Sequence, residues 1–126
     1  VESGSGVLLD SVILIDHFNG IQAATDYLRD VAGQARISAI TRAEVMTGFK
    51  PADADAPRQL LDSFLTIPID AAVADLAAEL RRSGRLRLPD ALQAAAAVHH
   101  GLKLATRNEK DFSKRRFNFV VVPYRL

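Results

Sequence analysis

Short, dense apolar runs alternate along the chain with longer stretches in which apolar residues recur every three or four positions. The runs read as buried strands and the spaced stretches as amphipathic helices. Val7-Leu8-Leu9, bounded by Gly6 and Asp10, is the first strand. Ser11 fits the cap of a helix starting near Val12, while four consecutive apolar residues, 12–15, leave a strand ending at Asp16 as a competing reading. Ile21, Ala24, Tyr27, Leu28 and Val31 mark a helix over 21–32, which Gly33 closes. Residues 36–40 form the next strand, and Thr41 then caps a helix that ends around Gly48-Phe49. Residues 51–57 read as a loop by composition, and 58–64 as a helix with Leu60, Leu61 and Phe64 inward. Residues 66–69 are extended, with Pro68 marking an edge or an end. Asp70 caps a helix over 71–82 with Val73, Leu76, Ala77 and Leu80 as its stripe, and Ser83-Gly84 stops it. Leu88-Pro89-Asp90 leads into an alanine-rich helix closed by Gly101, whose alanines imply close packing against a neighbour. Residues 102–106 and 119–122 are the last strands, the second ended by Pro123. Alternating strands and helices with tight turns predict a three-layer α/β/α sandwich around a mainly parallel sheet.

Composition narrows this picture without redirecting it. The 126 residues suit one domain, taken as 7–126, with 48% hydrophobic and 25% charged residues. The first six residues, with two Ser-Gly pairs, read as a flexible linker or cloning remnant. Net charge is only +1, so any nucleic-acid binding has to come from local basic patches. Without cysteine there are no disulfides, thiol nucleophiles or thiolate metal sites, and a cytoplasmic setting is the expectation. No apolar run reaches the roughly 18 residues of a membrane span, and no secretory signal pattern is visible. There is no internal repeat and no GxGxxG, P-loop, HExxH or GxSxG pattern. The chemistry left is that of carboxylates, hydroxyls, amides and bases.

Three acids from distant parts of the chain stand at element ends: Asp10 after the first strand, Glu44 in the helix after the second, and Asp90 at the start of the alanine-rich helix. The carboxyl edge of a parallel sheet is where open α/β folds bind ligands, so the three suggest one acidic pocket that wants a divalent cation. Each also has a plain structural reading. Thr41 and Glu44 make a T-x-x-E capping box. Asp90 after Pro89 suits a helix dipole, Asp10 an ordinary turn, and Asp16 a solvent-facing position on the first helix. His17, His99 and His100 are poor ligand candidates. The conjunction carries the case.

That conjunction resembles the PIN-domain ribonucleases, in particular the VapC-type toxins of bacterial toxin–antitoxin pairs. Residues 7–20 (VLLDSVILIDHFNG) resemble the family's opening, which places its first metal-binding aspartate at Asp10, not Asp16, with Ser11 at the hydroxyl position behind it. Residues 37–44 (ISAITRAE) match the second motif and place its glutamate at Glu44, with Thr41 as a supporting hydroxyl. Residues 88–96 (LPDALQAAA) match the third and place its aspartate at Asp90. Residues 104–112 (LATRNEKDF) match the fourth, with Thr106 as a supporting residue. There the family often has an acid where this chain has Asn108, and a second acid three residues on, here Asp111. Asn108, Asp111 or both complete the pocket. The resemblance covers nearly the whole chain in motif order.

The implied activity is metal-dependent RNA cleavage. Clustered carboxylates repel one another, which raises their pKa values or recruits a hard cation. Oxygen ligands favour Mg²⁺ or Mn²⁺ over zinc. Asp10 and Asp90 would hold the metal, with Glu44 holding a water or a second metal and assisting proton removal. Basic residues on either side of the acids are candidates to guide RNA: Arg81, Arg82, Arg85 and Arg87 before Asp90, then Arg107, Lys110, Lys114, Arg115 and Arg116. The alternative for these is an ordinary solvated face. Phe49, Phe112 and Phe117 are available to stack on bases or to fill the core. The resemblance also implies a homodimer held inactive by a cognate antitoxin, with apolar sides of the helices over 21–31 and 58–64 as candidate docking faces. A receiver-like phosphotransfer domain lacks its paired early acids here, and a dehalogenase-like phosphatase lacks Asp-x-Asp. A non-catalytic PIN-like module that binds RNA or protein through a degenerate pocket is the different-class alternative, kept open by Asn108.

Overall fold

Three residues at the centre of the sheet, Val7–Leu9, set the layering. In the computed structural model, which describes residues 6–113 and 117–126, this strand (β1) is buried on both faces. Leu8 points into one core and Val7 and Leu9 into another, the two-residue alternation of a strand covered on both sides. Helices α1 (Ser11–Phe18) and α2 (Gln22–Val31) follow, then β2 (Ala35–Ser38), α3 (Ala39–Thr47), a 3₁₀ turn at Pro51–Asp53 and α4 (Asp55–Asp62). After β3 (Leu65–Ile67) come α5 (Ala71–Gly84), α6 (Leu88–His99), β4 (Lys103–Ala105) and β5 (Val120–Val121). The five strands are ordered β3-β2-β1-β4-β5, and every pairing is parallel.

The α1–α4 core gathers Ile13, Leu14, Ala24, Leu28, Val45, Leu61 and Phe64 against one sheet face. On the other, α5 and α6 pack through Val73, Ala77, Ala91 and Ala94 to Ala97, together with Phe112 and Phe117. The result is the expected α/β/α sandwich, and the alanine run does mark close helix packing. Phe112 and Phe117 therefore fill the core and do not face RNA, whereas half-buried Phe49 stacks edge-on with Phe18 at 5.1 Å. No described helix is long and apolar enough to cross a membrane.

Local boundaries differ from the sequence reading where two signals competed. Residues 12–16 are helix, not strand, and Asp10 rather than Ser11 caps it. Helix α4 begins at Asp55, because Pro57 falls in the first turn, where its missing N–H costs nothing. Ser83 and Gly84 lie within α5, and the left-handed residue that ends it is Arg85, at φ 58°. Gly6, assigned from sequence to the flexible lead-in, is buried: a Cβ there would stand 2.8 Å from Leu102 Cδ2. Residues 1–5 of that lead-in, and Lys114, Arg115 and Arg116, lie outside the described residues.

Candidate active site

Strand order reverses at β1: β2 and β3 extend the sheet one way, β4 and β5 the other. Ligands of open parallel sheets bind at the carboxyl ends of the strands flanking such a point. Asp10 leaves β1 there and Thr106 leaves β4 beside it. Asp10 is 6% exposed, its Oδ1 accepting the Ser11 N–H at 2.9 Å and its Oδ2 the Thr106 hydroxyl at 2.7 Å. Ser11 thus serves the carboxylate through its backbone. Thr106 Oγ1 also accepts the Asn108 N–H at 3.0 Å, so strand end and loop share one hydroxyl.

Glu44 reaches the same region by a different route than the capping box. The N-cap of α3 is Ser38, whose Oγ accepts the Thr41 N–H at 3.2 Å. Thr41 lies inside the helix, and its hydroxyl donates to the carbonyl of Leu9 at 3.1 Å. Glu44 consequently stands a turn beyond any cap position, exposed, and its structural explanation falls away. It sits on the rim of a cavity of about 200 Å³ lined by Ile15, Phe18, Val45 and Phe49.

A buried amide ties these pieces to α6. Gln93, 1% exposed, accepts from Ser38 Oγ at 2.7 Å and donates Nε2–H to Thr41 Oγ1 at 2.5 Å. Sequence reading assigned Gln93 no role. A lone amide one residue before four successive alanines on a buried helix was the available signal, since an enclosed amide must find partners.

Asp90 lies in the first turn of α6, after Pro89, and its Oδ2 is buried without a hydrogen bond. The nearest cation, the exposed Arg87, stands 3.5 Å from that oxygen and 4.0 Å from Asp111 Oδ2. Asp111 Oδ2 accepts Asn108 Nδ2–H at 3.0 Å, so the amide braces the acid. Burial, and next the charge of Asp111, push the Asp90 carboxyl up, against the pull of Arg87. Burial likewise drives Asp10 up to about 6; Thr106 opposes it, while Asp90 and Glu44 push the same way. Electrostatically the acids form a row, Glu44–Asp10–Asp90–Asp111. Among the described residues no three of them close into a metal cage. Magnesium does not need one: it takes one or two carboxylates and keeps its remaining waters. The Asp90 oxygen without a hydrogen bond and the raised Asp10 fit such a cation.

One expectation fails at Asp16, and Arg107 has an internal partner there. Asp16 is 4% exposed rather than solvent-facing, and the Arg107 guanidinium grips it through Nε at 2.5 Å and Nη2 at 2.9 Å. Tyr124 O–H donates to Asp16 Oδ2 at 2.8 Å. The Arg107 hydrogen bonds hold the Asp16 carboxyl below its usual range despite burial. The Arg107 fork is thereby engaged by an internal carboxylate, while 31% of the side chain stays exposed. Arg87 leans on the acids. Arg85 and Lys110 remain exposed, with no ion pair among the described residues.

The raised Asp10 has a consequence for stability. Between its unfolded pKa near 4 and its folded value of about 6, the native state binds more protons than the unfolded one. Stability of the metal-free protein is expected to fall as pH rises through that window, by about 2–3 kcal/mol in all. Urea melts at pH 4.5 and 7 should show this slope, and Asp10→Asn should flatten it. Asp16 acts oppositely and lower: its contribution is lost only as pH drops below about 4.

Comparison with known proteins gives a consistent picture. A family model described as PIN domain matches residues 7–118. Ribonuclease VapC10 of Mycobacterium tuberculosis is 37% identical over 113 residues, 84% of this chain and 85% of that protein. Among solved structures, a toxin–antitoxin complex from Klebsiella pneumoniae contains a chain similar at TM-score 0.90 and 39% identity, covering 96% of this chain and 100% of its own. FitAcB from Neisseria gonorrhoeae matches at TM-score 0.77 over 95% of this chain and 99% of its own; at 23% identity the likeness is one of fold.

Proposed function

This chain belongs to the PIN-domain family, alongside the VapC ribonucleases, and from its site we propose an Mg²⁺- or Mn²⁺-dependent endoribonuclease that is the toxin of a toxin–antitoxin pair. The observation that carries the metal is the buried Oδ2 of Asp90, which makes no hydrogen bond and faces only the exposed Arg87 at 3.5 Å, near a carboxyl raised by burial and by its acidic neighbours. Asp10 and Asp90 would hold the cation, with Glu44 holding a water or a second metal. Asp111 rather than Asn108 supplies the fourth acid, because Asp111 is the negative charge that acts on Asp90 and Asn108 braces it. That assignment weakens the non-catalytic alternative, whose support was the amide at Asn108.

A bound divalent cation supplies an acidified water and offsets charge on the scissile phosphate. The chain does the rest. Ser11 N–H and Thr106 O–H fix the Asp10 carboxylate in one orientation while leaving a lone pair on each oxygen. Glu44, exposed and released from capping, accepts a proton from the attacking water. Arg85 and Lys110 draw the RNA backbone toward the acids. Around this site we place a homodimer and, as in the Klebsiella complex, a cognate antitoxin. The setting is cytoplasmic.

The test is cleavage of a panel of structured RNAs with Mg²⁺, Mn²⁺ or chelator, paired with a thermal melt. Metal is expected to be required for cleavage and to raise Tm at pH 7, with the rise shrinking below pH 6 as protons compete for Asp10. Cleavage that persists in chelator would overturn the reading.

A further inference from the structure

We propose that Asp16, Arg107 and Tyr124 form a clasp through which the C-terminal tail positions the loop carrying Thr106, Asn108 and Asp111 over the acidic site. The kinetic part of this proposal rests on the ribonuclease reading above; the structural part does not.

Helix α1 offers the loop two anchor points. At its start, Asp10 accepts the Thr106 hydroxyl, and two turns on, Asp16 takes the Arg107 fork. Adjacent residues, Thr106 and Arg107, are thus tied to carboxylates about 9 Å apart along one helix axis. With both ends of that peptide unit held, the direction of the chain into Asn108 is fixed. Asn108 in turn returns its N–H to Thr106 Oγ1 and its side-chain amide to Asp111.

The tail closes the arrangement from outside. Tyr124 shares Asp16 Oδ2 with Arg107 Nε, so the hydroxyl completes the shell of a buried acid. Next to it, Arg125 makes a two-pronged pair with Glu109 at 3.0 and 2.8 Å, on the loop itself. That pair is exposed and stabilises little. A buried ion pair is also a poor source of net stability against an apolar replacement. What such directional contacts supply is geometry: they select one loop conformation from many. Asp16, Arg107 and Tyr124 touch neither Asp90 nor Glu44, so they are positioning residues, acting through Thr106, Asn108 and Asp111.

The experiment uses the full chain with Tyr124→Phe, which removes one oxygen, and Arg107→Lys, which keeps the charge but not the fork. Amide order parameters from NMR relaxation read the loop without metal or RNA. Those of Asn108 to Asp111 are expected to drop from about 0.85 toward 0.6 in both variants, while Leu104, bonded into the sheet, stays near 0.85. With a cleaved RNA, kcat is expected to fall several-fold with KM unchanged. Unaltered loop order parameters, or an equal drop in loop and sheet, would overturn the clasp. So would a salt-dependent rise in KM for Arg107→Lys, the sign of a phosphate contact. If the wild type cleaves no RNA, the ribonuclease reading fails alone, and the order parameters still decide the clasp.

Discussion

Asp90→Asn is expected to reduce RNA cleavage by about 10²- to 10³-fold, the scale seen when one charge-stabilising group of a site is removed, while the protein folds as before. The substitution keeps the shape and removes the charge. In the wild type that charge is costly: burial raises the carboxyl, Asp111 adds repulsion, and Oδ2 has no donor. Against these stands Arg87 at 3.5 Å, whose pull on the carboxyl exceeds the push of Asp111 but not that of burial, and whose own exposure screens the pair. Deleting the charge should leave Tm unchanged or raise it slightly at pH 7. Mn²⁺ titration by calorimetry should show binding in the wild type and its loss in the variant. A protein that loses activity together with stability would instead give Asp90 a structural role. One that keeps both would remove it from the site. An acid here for folding alone makes little physical sense, since burial opposes its ionised form.

Gln93→Ala is expected to cost about 3 kcal/mol of stability, the largest loss we foresee from a single polar side chain. The amide occupies a site with 1% exposure, and its removal leaves a cavity. It also strips partners from two enclosed hydroxyls. Ser38 Oγ loses its acceptor, and Thr41 Oγ1 loses its donor while still bonded to Leu9 O. Gln93→Leu refills the volume without restoring the bonds, so about 1–2 kcal/mol should remain lost. Denaturant melts of the two variants separate cavity from hydrogen bonding. Activity should fall as well, because this network is where α3, bearing Glu44, meets α6, bearing Asp90, at the end of β1. A loss below 1 kcal/mol for Gln93→Ala would mean that water replaces the amide.

What the sequence disclosed and what it hid divide along physical lines. That Asp10, Glu44 and Asp90 come near enough to act on one another was legible because Asp10 follows a short apolar run, Glu44 lies in the helix after another, and Asp90 follows a proline. The cap of α3 was misplaced by three residues because Ser38 and Thr41 are both competent caps in the same stretch, and only the strand register with Leu65 to Ile67 decides between them. The start of α4 was hidden by Pro57, read as a loop residue although a first turn accepts it. The Asp16 site could not be read at all: its partners lie 91 and 108 residues away, and nothing local announces them. Arg107 was for the same reason counted only as an RNA contact. Basic residues near acids in sequence attract that reading, and only the fold shows which carboxylate they serve.

The central position of β1 bears on how the molecule comes into being. Its neighbours in the sheet are β2, soon after it, and β4, with Val7 opposite Lys103. Asp10 cannot meet Thr106, 96 residues later, until the segment between them has been made. Long-range parallel pairings of this kind are slow to form, and an unfinished chain exposes one edge of β1. For a toxin this delay is a safeguard of timing. A chain that stops short of Thr106 carries Asp10 and Glu44 but no assembled site.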